Sequence, residues 1–213
     1  MKTIYIVRHG ESHINVSPTW IDDDSPDLTE LGSEQARAIA ERVSKLSIDV
    51  MITSTMRRTI ATGEIIRDRM GNVPTESWKE LDERRSPKKL IGQSKKDLEA
   101  LRLMQTFADS FVQSGKRVEE ASNFDDMSKA ARAVLAKLEE RSEKNILIVG
   151  HGFLTKMMVA RVLYKDMLTA ELFEPFPWGI RTINTGITIL KHDPDDKRRP
   201  WWLYVWNDHA HLD

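Results

Sequence analysis

The chain contains no cysteine. That absence excludes disulfides, thiolate zinc sites and cysteine nucleophiles. Neither charge is in excess: 32 lysines and arginines face 33 aspartates and glutamates, for a formal net charge of -1. Binding a nucleic-acid backbone calls for a basic surplus, so nucleic acid is not expected as a partner. Long apolar runs are missing as well. The first, Ile4 to Val7, is cut off by Arg8. It is too short for a secretory core or a membrane span. No internal repeat and no low-complexity tract is visible. The expectation is a cytoplasmic protein with one domain over 1–213, long enough to bury a substantial core.

What is present is an alternation of strand and helix signals. Strands are predicted at 2–7, 48–53, 145–149, 182–190 and 200–206, with a short one near Pro74–Trp78. The first and third of these are continuous apolar runs, the pattern of central strands covered on both faces. Helical periodicity runs from about 30 to 46, 55 to 70, 95 to 113, 122 to 142 and 153 to 164, with Thr29 placed as an N-cap. This predicts an α/β fold: a three-layer α/β/α sandwich with a mostly parallel central sheet. The last two strands flank the polar turn His192–Asp196 and should form an antiparallel edge hairpin. Residues 84–120, with the basic loop Arg84, Arg85, Lys88 and Lys89, read as a cap-like insertion on top of the sheet.

Two strands end alike. Ile4-Tyr5-Ile6-Val7 runs into Arg8-His9-Gly10, and Ile146-Leu147-Ile148-Val149 runs into Gly150-His151-Gly152. A solvated turn is the ordinary reading of one such ending. Two in one chain weaken it. In open α/β sheets ligands bind beyond the carboxyl ends of the strands. There the first strand delivers Arg8 and His9, the 48–53 strand delivers Arg57 or Arg58, and the 145–149 strand delivers His151. Such positive charge repels itself unless an anion offsets it. Arginine's planar fork matches phosphate oxygens. A neutral imidazole among cations can attack phosphorus, and a leaving alcohol then needs a proton from a carboxyl group. Glu80, Asp82 and Glu83 are the candidates.

These residues resemble a known family. Arg8-His9-Gly10-Glu11-Ser12 with Asn15 is similar to the signature of the histidine phosphatase superfamily, also called phosphoglycerate mutase-like. So are Leu28-Thr29-x-x-Gly32, Ser54-x-x-x-Arg58-x-x-x-Thr62, Leu81-Asp82-Glu83-Arg84, Gly150-His151-Gly152 and Asn184-Thr185-Gly186. The blocks occur in family order across nearly the whole chain. The resemblance implies a phosphoglycerate mutase-like fold and a single histidine phosphatase domain. It implies that His9 is the phosphorylated nucleophile and Glu83 the proton donor, and it selects Arg58 over Arg57. Arg8, Arg58 and His151 are implied as catalytic phosphate-pocket residues, with Asn15 and Gly152 also binding phosphate. The activity implied is hydrolysis of a small-molecule phosphomonoester, with no cofactor and no metal. Mutase-type phosphoryl transfer is the alternative, disfavoured because the long insert of cofactor-dependent mutases has no counterpart here. A non-catalytic phosphate-binding module is disfavoured because all five reactive groups are present. After Glu83 the chain departs from the family's glycine- and glutamate-containing stretch, which leaves the substrate open.

Other features have bland readings. His209-x-His211, with Asp208 and Asp213, could ligate a metal but reads as a frayed polar tail. His13 reads as a rim residue and His192 as a turn residue. Alternation places Trp201, Leu203 and Val205 on one face and Trp202, Tyr204 and Trp206 on the other. Helices should cover both faces; a homodimer contact is the alternative. Trp178 and Arg181 are candidates to line the pocket.

Overall fold

The computed structural model describes residues 1–24 and 26–212. Six strands form one sheet: β1 (Lys2–Arg8), β2 (Val50–Thr53), β3 (Thr75–Ser77), β4 (Asn145–Gly150), β5 (Ile187–His192) and β6 (Trp201–Asp208). Their order is β3-β2-β4-β1-β5-β6. The first four run parallel, and β5 is antiparallel to both β1 and β6. The helices are α1 (His13–Val16), α2 (Glu30–Val43), α3 (Arg57–Met70), α4 (Leu98–Ser110), α5 (Phe124–Glu140), α6 (Gly152–Tyr164), α7 (Ala170–Phe173) and α8 (Pro175–Gly179). The expected sandwich and its antiparallel edge are present. No helix among the described residues is long and apolar enough to cross a membrane.

Strand alternation builds the two cores. Ile4, Ile6, Val50, Ile52, Ile146 and Ile148 point to one face, where they meet α5 and α6. Val7, Met51, Leu147 and Val149 point to the other, against Ile39, Ala40 and Val43 of α2 and Ile66 of α3. At roughly 25 cal/mol per Å² of apolar surface removed from water, these clusters dominate the stabilisation. Thr29 caps α2 as expected, its hydroxyl accepting from Gly32 N–H at 3.0 Å. Residues 84–120 carry α4, whose Phe107, with Phe111 just beyond it, joins the α5–α6 core.

Four expectations are corrected. The strand expected from 182 begins at Ile187; the preceding residues form a loop held to the end of β1, as described below. Trp206 packs with Trp201 and Leu203, not opposite them. Leu190 pairs with Leu203 but Ile189 pairs with Val205, so an extra residue in β6 reverses the alternation there. His192 is no turn residue: it ends β5, is buried, and its ring lies 4.6 Å from that of Trp201. The C-terminal segment is tied down where fraying was expected. Asp208 forms an ion pair with Arg42, His211 Nε2 lies 3.0 Å from Thr185 Oγ1, and His209 Nδ1 lies 2.9 Å from the Asn207 carbonyl. Asp213 lies outside the described residues.

Candidate active site

Parallel pairing in register brings the strand ends together. Arg8 sits beside Gly150, and Thr53 beside Val149. His9 and His151 therefore follow adjacent strand ends, and their ring centroids are 5.3 Å apart. Arg58, in the first turn of α3, reaches between them. Its Nε–H donates to His9 Nε2 at 3.3 Å, and its terminal Nη2–H donates to His151 Nδ1 at 3.3 Å. All three are buried.

These contacts fix both ring tautomers, because a guanidinium can only donate. His9 Nδ1 lies 2.7 Å from the Gly10 carbonyl, so Nδ1 carries the proton and Nε2 keeps its lone pair. His151 accepts at Nδ1, so its Nε2–H donates to Ser54 Oγ at 2.7 Å. Ser54 Oγ lies 2.6 Å from Thr59 Oγ1, whose own proton goes to the Met56 carbonyl at 2.7 Å. Burial pushes both histidine pKa values well below the ordinary 6.5. The cations push the same way: Arg8 and Arg58 on His9, and Arg58 foremost on His151. Both rings are neutral near pH 7.

Arg8 lies across the start of α6. Its Nη1–H donates to the Thr182 carbonyl at 2.6 Å, while its Nε is buried without a hydrogen-bond partner. A side chain at Gly152 would collide with Thr182 Oγ1 at 2.5 Å and lie 3.5 Å from Arg8 Nε. Gly152 thus makes room for the Thr182 side chain, while Arg8 Nε would be in ordinary contact. Gly10 has a different reason. A Cβ there would come within 2.3 Å of the Gly32 carbonyl oxygen, so it serves contact with α2 and not approach of a ligand.

Glu83 is held by the other end of the same helix start. Phe153 N–H donates to its Oε2 at 3.0 Å, and Leu154 N–H to its Oε1 at 3.2 Å. These are amides of the first turn of α6, which have no intrahelical acceptor. Arg57 points outward and pairs with Asp27. Asn15 is exposed, and its side-chain oxygen accepts from Ser12 N–H at 3.0 Å; it makes no hydrogen bond to the histidine–arginine cluster. His13 is exposed. Trp178 lines a cavity beside Phe153, and Arg181 is exposed without lining it. No group of three metal-ligating side chains gathers among the described residues.

Several supporting residues carried no role in the sequence. Thr62 Oγ1 accepts the Gly10 N–H at 3.0 Å, and Asn184 donates to the His9 carbonyl at 2.9 Å. Ser54 and Thr62 flank Arg58 at four-residue intervals, a spacing already visible but silent about partners. Lys156 is buried, donates to the Pro177 carbonyl at 2.9 Å, and has its pKa lowered by burial and then by Arg8.

Known proteins resemble the chain throughout its length. Residues 4–208 match the model of the histidine phosphatase superfamily (branch 1). A relative described as probable phosphoglycerate mutase GpmB, from Serratia proteamaculans (strain 568), is 32% identical over 100% of this chain and 96% of its own. Among solved structures, YhfR of Bacillus stearothermophilus superimposes with a TM-score of 0.78 at 25% identity, covering 100% of both chains. A mycobacterial glucosyl-3-phosphoglycerate phosphatase does so with a TM-score of 0.77 at 20% identity, covering 98% of this chain and 100% of that one. The chain belongs to the histidine phosphatase superfamily.

Proposed function

We propose that the protein is a phosphatase that hydrolyses a small-molecule phosphomonoester through a phosphohistidine on His9. The observation that carries this reading is the His9 tautomer: Nδ1–H is tied to the Gly10 carbonyl, and an unprotonated Nε2 lies among guanidinium donors. Nε2 attacks phosphorus as the ester P–O bond breaks. The leaving oxygen takes the proton of Glu83. Glu83 then removes a proton from water, which attacks phosphorus and breaks the P–N bond. Phosphate is released and Glu83 is again protonated. Arg8, Arg58 and the His151 ring stabilise charge on the non-bridging oxygens. Gly152 leaves room for Thr182, whose carbonyl holds Arg8, and Asn15 would add its amide to the phosphate. One domain would carry the reaction, with residues 84–120 as its substrate-facing cap.

The mutase reading is favoured by one specific observation, the name of the curated relative. The two readings separate on 3-phosphoglycerate. Hydrolysis releases inorganic phosphate, whereas mutase action yields the 2-phospho isomer without it. The proposal expects phosphate from simple alkyl and aryl phosphomonoesters, undiminished by EDTA because the arginines supply the positive charge. Isomer without phosphate, or activity lost on chelation and restored by a divalent ion, contradicts it.

A further inference from the structure

The basic stretch behind Glu83 divides by what its cations face. Arg85 pairs with Asp24 at 3.1 Å, Lys88 with Glu120 at 3.2 Å and Lys89 with Glu119 at 2.7 Å. Arg84 turns inward. Its guanidinium carbon stands 4.3 Å from the Phe153 ring centroid, 5.2 Å from Phe107 and 5.5 Å from Phe111. Its backbone N–H donates to Glu83 Oε1 at 3.1 Å. The carboxylates of Glu83 and Asp23 act on the guanidinium through space, against the larger effect of burial, which lowers its pKa. Aromatic faces attract a cation but do not accept its five N–H donors in the plane of the fork.

The fork borders a cavity of about 650 Å³. Phe111, Phe153, Phe173 and Trp178 give it apolar, largely aromatic walls. The cavity and the carboxylate share one residue: the Phe153 ring forms a wall, while the Phe153 amide holds Glu83. An ester whose leaving oxygen faces Glu83 would extend its alcohol portion past Phe153 toward these walls. Asp109, Glu171 and Glu174 also line the cavity and are exposed. They repel a ligand carrying several negative charges. What fits is an apolar body with a single anionic group to meet Arg84.

We propose that this cavity is the subsite for the alcohol portion of the substrate, taking an apolar or aromatic body that bears one carboxylate paired with Arg84. The inference rests on the phosphatase reading of the strand-end site. Calorimetry with non-hydrolysable probes tests it separately: the 3- and 4-carboxyphenylphosphonates against their carboxamide counterparts. At least one carboxylate should bind roughly 10- to 100-fold more tightly than its carboxamide, the scale of a charge-assisted hydrogen-bonded pair. In Arg84→Gln that ratio should collapse to within about threefold, as expected when the pair is lost. In Arg85→Gln, whose guanidinium faces Asp24, it should persist. Arg84→Met, which keeps an apolar stem against the phenylalanines, serves if Arg84→Gln does not fold. Equal binding of both probes by the native protein, or a ratio that survives in Arg84→Gln, overturns the subsite. Turnover is read independently. A preference without any phosphatase activity overturns only the proposed reaction, and activity without a preference overturns only the subsite.

Discussion

Arg57 places its fork on Asp27 through two hydrogen bonds of 2.9 Å, and both side chains are more than half exposed. Arg58, one residue on, is 2% exposed and gives its donors to His9, His151, the Asp23 carbonyl and the Met56 sulfur. The same contrast separates whole regions. Where the chain enters β4, Arg141 forms ion pairs with Glu76 and Glu143, and its pKa is raised chiefly by those hydrogen bonds. At the strand-end site, burial lowers the pKa of Arg8 and Arg58 alike. Charge is neutralised inside the chain at the outer sites. At the inner one its hydrogen bonds go to neutral acceptors, a cost in stability that a bound phosphate would offset.

Breaking the contrast at α3 should have the largest effect. Arg58→Gln is expected to lower kcat/KM by roughly 10²–10³-fold, the scale of losing one donor to transition-state charge. Arg57→Gln should change it by less than about threefold, since an exposed ion pair contributes little. Inorganic phosphate should raise the melting temperature of the native protein, by the equivalent of about 2.7 kcal/mol at a hundred times its Kd. Arg57→Gln should keep that shift and Arg58→Gln should lose most of it. Similar kinetics for the two variants would erase the distinction.

Glu83 sharpens the comparison from the other side of the reaction. Glu83→Gln should slow hydrolysis of an alkyl phosphate by roughly 10²–10⁴-fold, the scale of general acid catalysis. The burst of p-nitrophenolate from p-nitrophenyl phosphate should suffer much less, because that leaving group needs little protonation. Equal losses in alkyl phosphate hydrolysis and in that burst would remove Glu83 from the proton-donor role.

The smallest effect is on stability against pH. His9 and His151 have folded pKa values below 6.5, so between 6.5 and those values the unfolded chain binds protons that the native one does not. Their contribution is full above about pH 6.5 and is lost as the pH falls through the folded values, at up to about 1.4 kcal/mol per unit per histidine. His9→Gln should flatten the decline of melting temperature between pH 6.5 and 5. An unchanged slope would mean that His9 is not buried neutral.

Much of this site was legible because its residues sit at strand ends, where apolar runs stop and the parallel register does the assembly. Arg8, His9, Arg58 and His151 needed only that rule and the family's spacing. The hydroxyls of Ser54 and Thr62 could not be given partners, since their bonds to His151 and Gly10 close across 97 and 52 residues of chain. The start of β5 at Ile187 escapes the sequence pattern for a related reason. Thr182–Gly186 reads as strand, but its polar groups serve Arg8 and His9: Thr182 O accepts from Arg8, Thr185 N–H donates to the Arg8 carbonyl at 2.9 Å, and Asn184 holds the His9 carbonyl. Alternation puts Trp206 on the wrong face because it assumes an unbroken ladder, and the extra residue in β6 breaks it. Asn15 has a family position, and the bond its side-chain oxygen accepts from Ser12 N–H is not legible from it.

The most direct measurement is rapid acid-free quench of the native protein with ³²P-labelled substrate, followed by mapping of the labelled residue. The label should appear on His9 within the first turnover, survive alkali and be released by mild acid. His9→Ala should melt near the native temperature, carry no label and lose turnover by at least roughly 10⁴-fold, as when an acting nucleophile is removed. Label on another residue, or near-native hydrolysis by His9→Ala, would contradict phosphoryl transfer through the Nε2 that the fold leaves unprotonated.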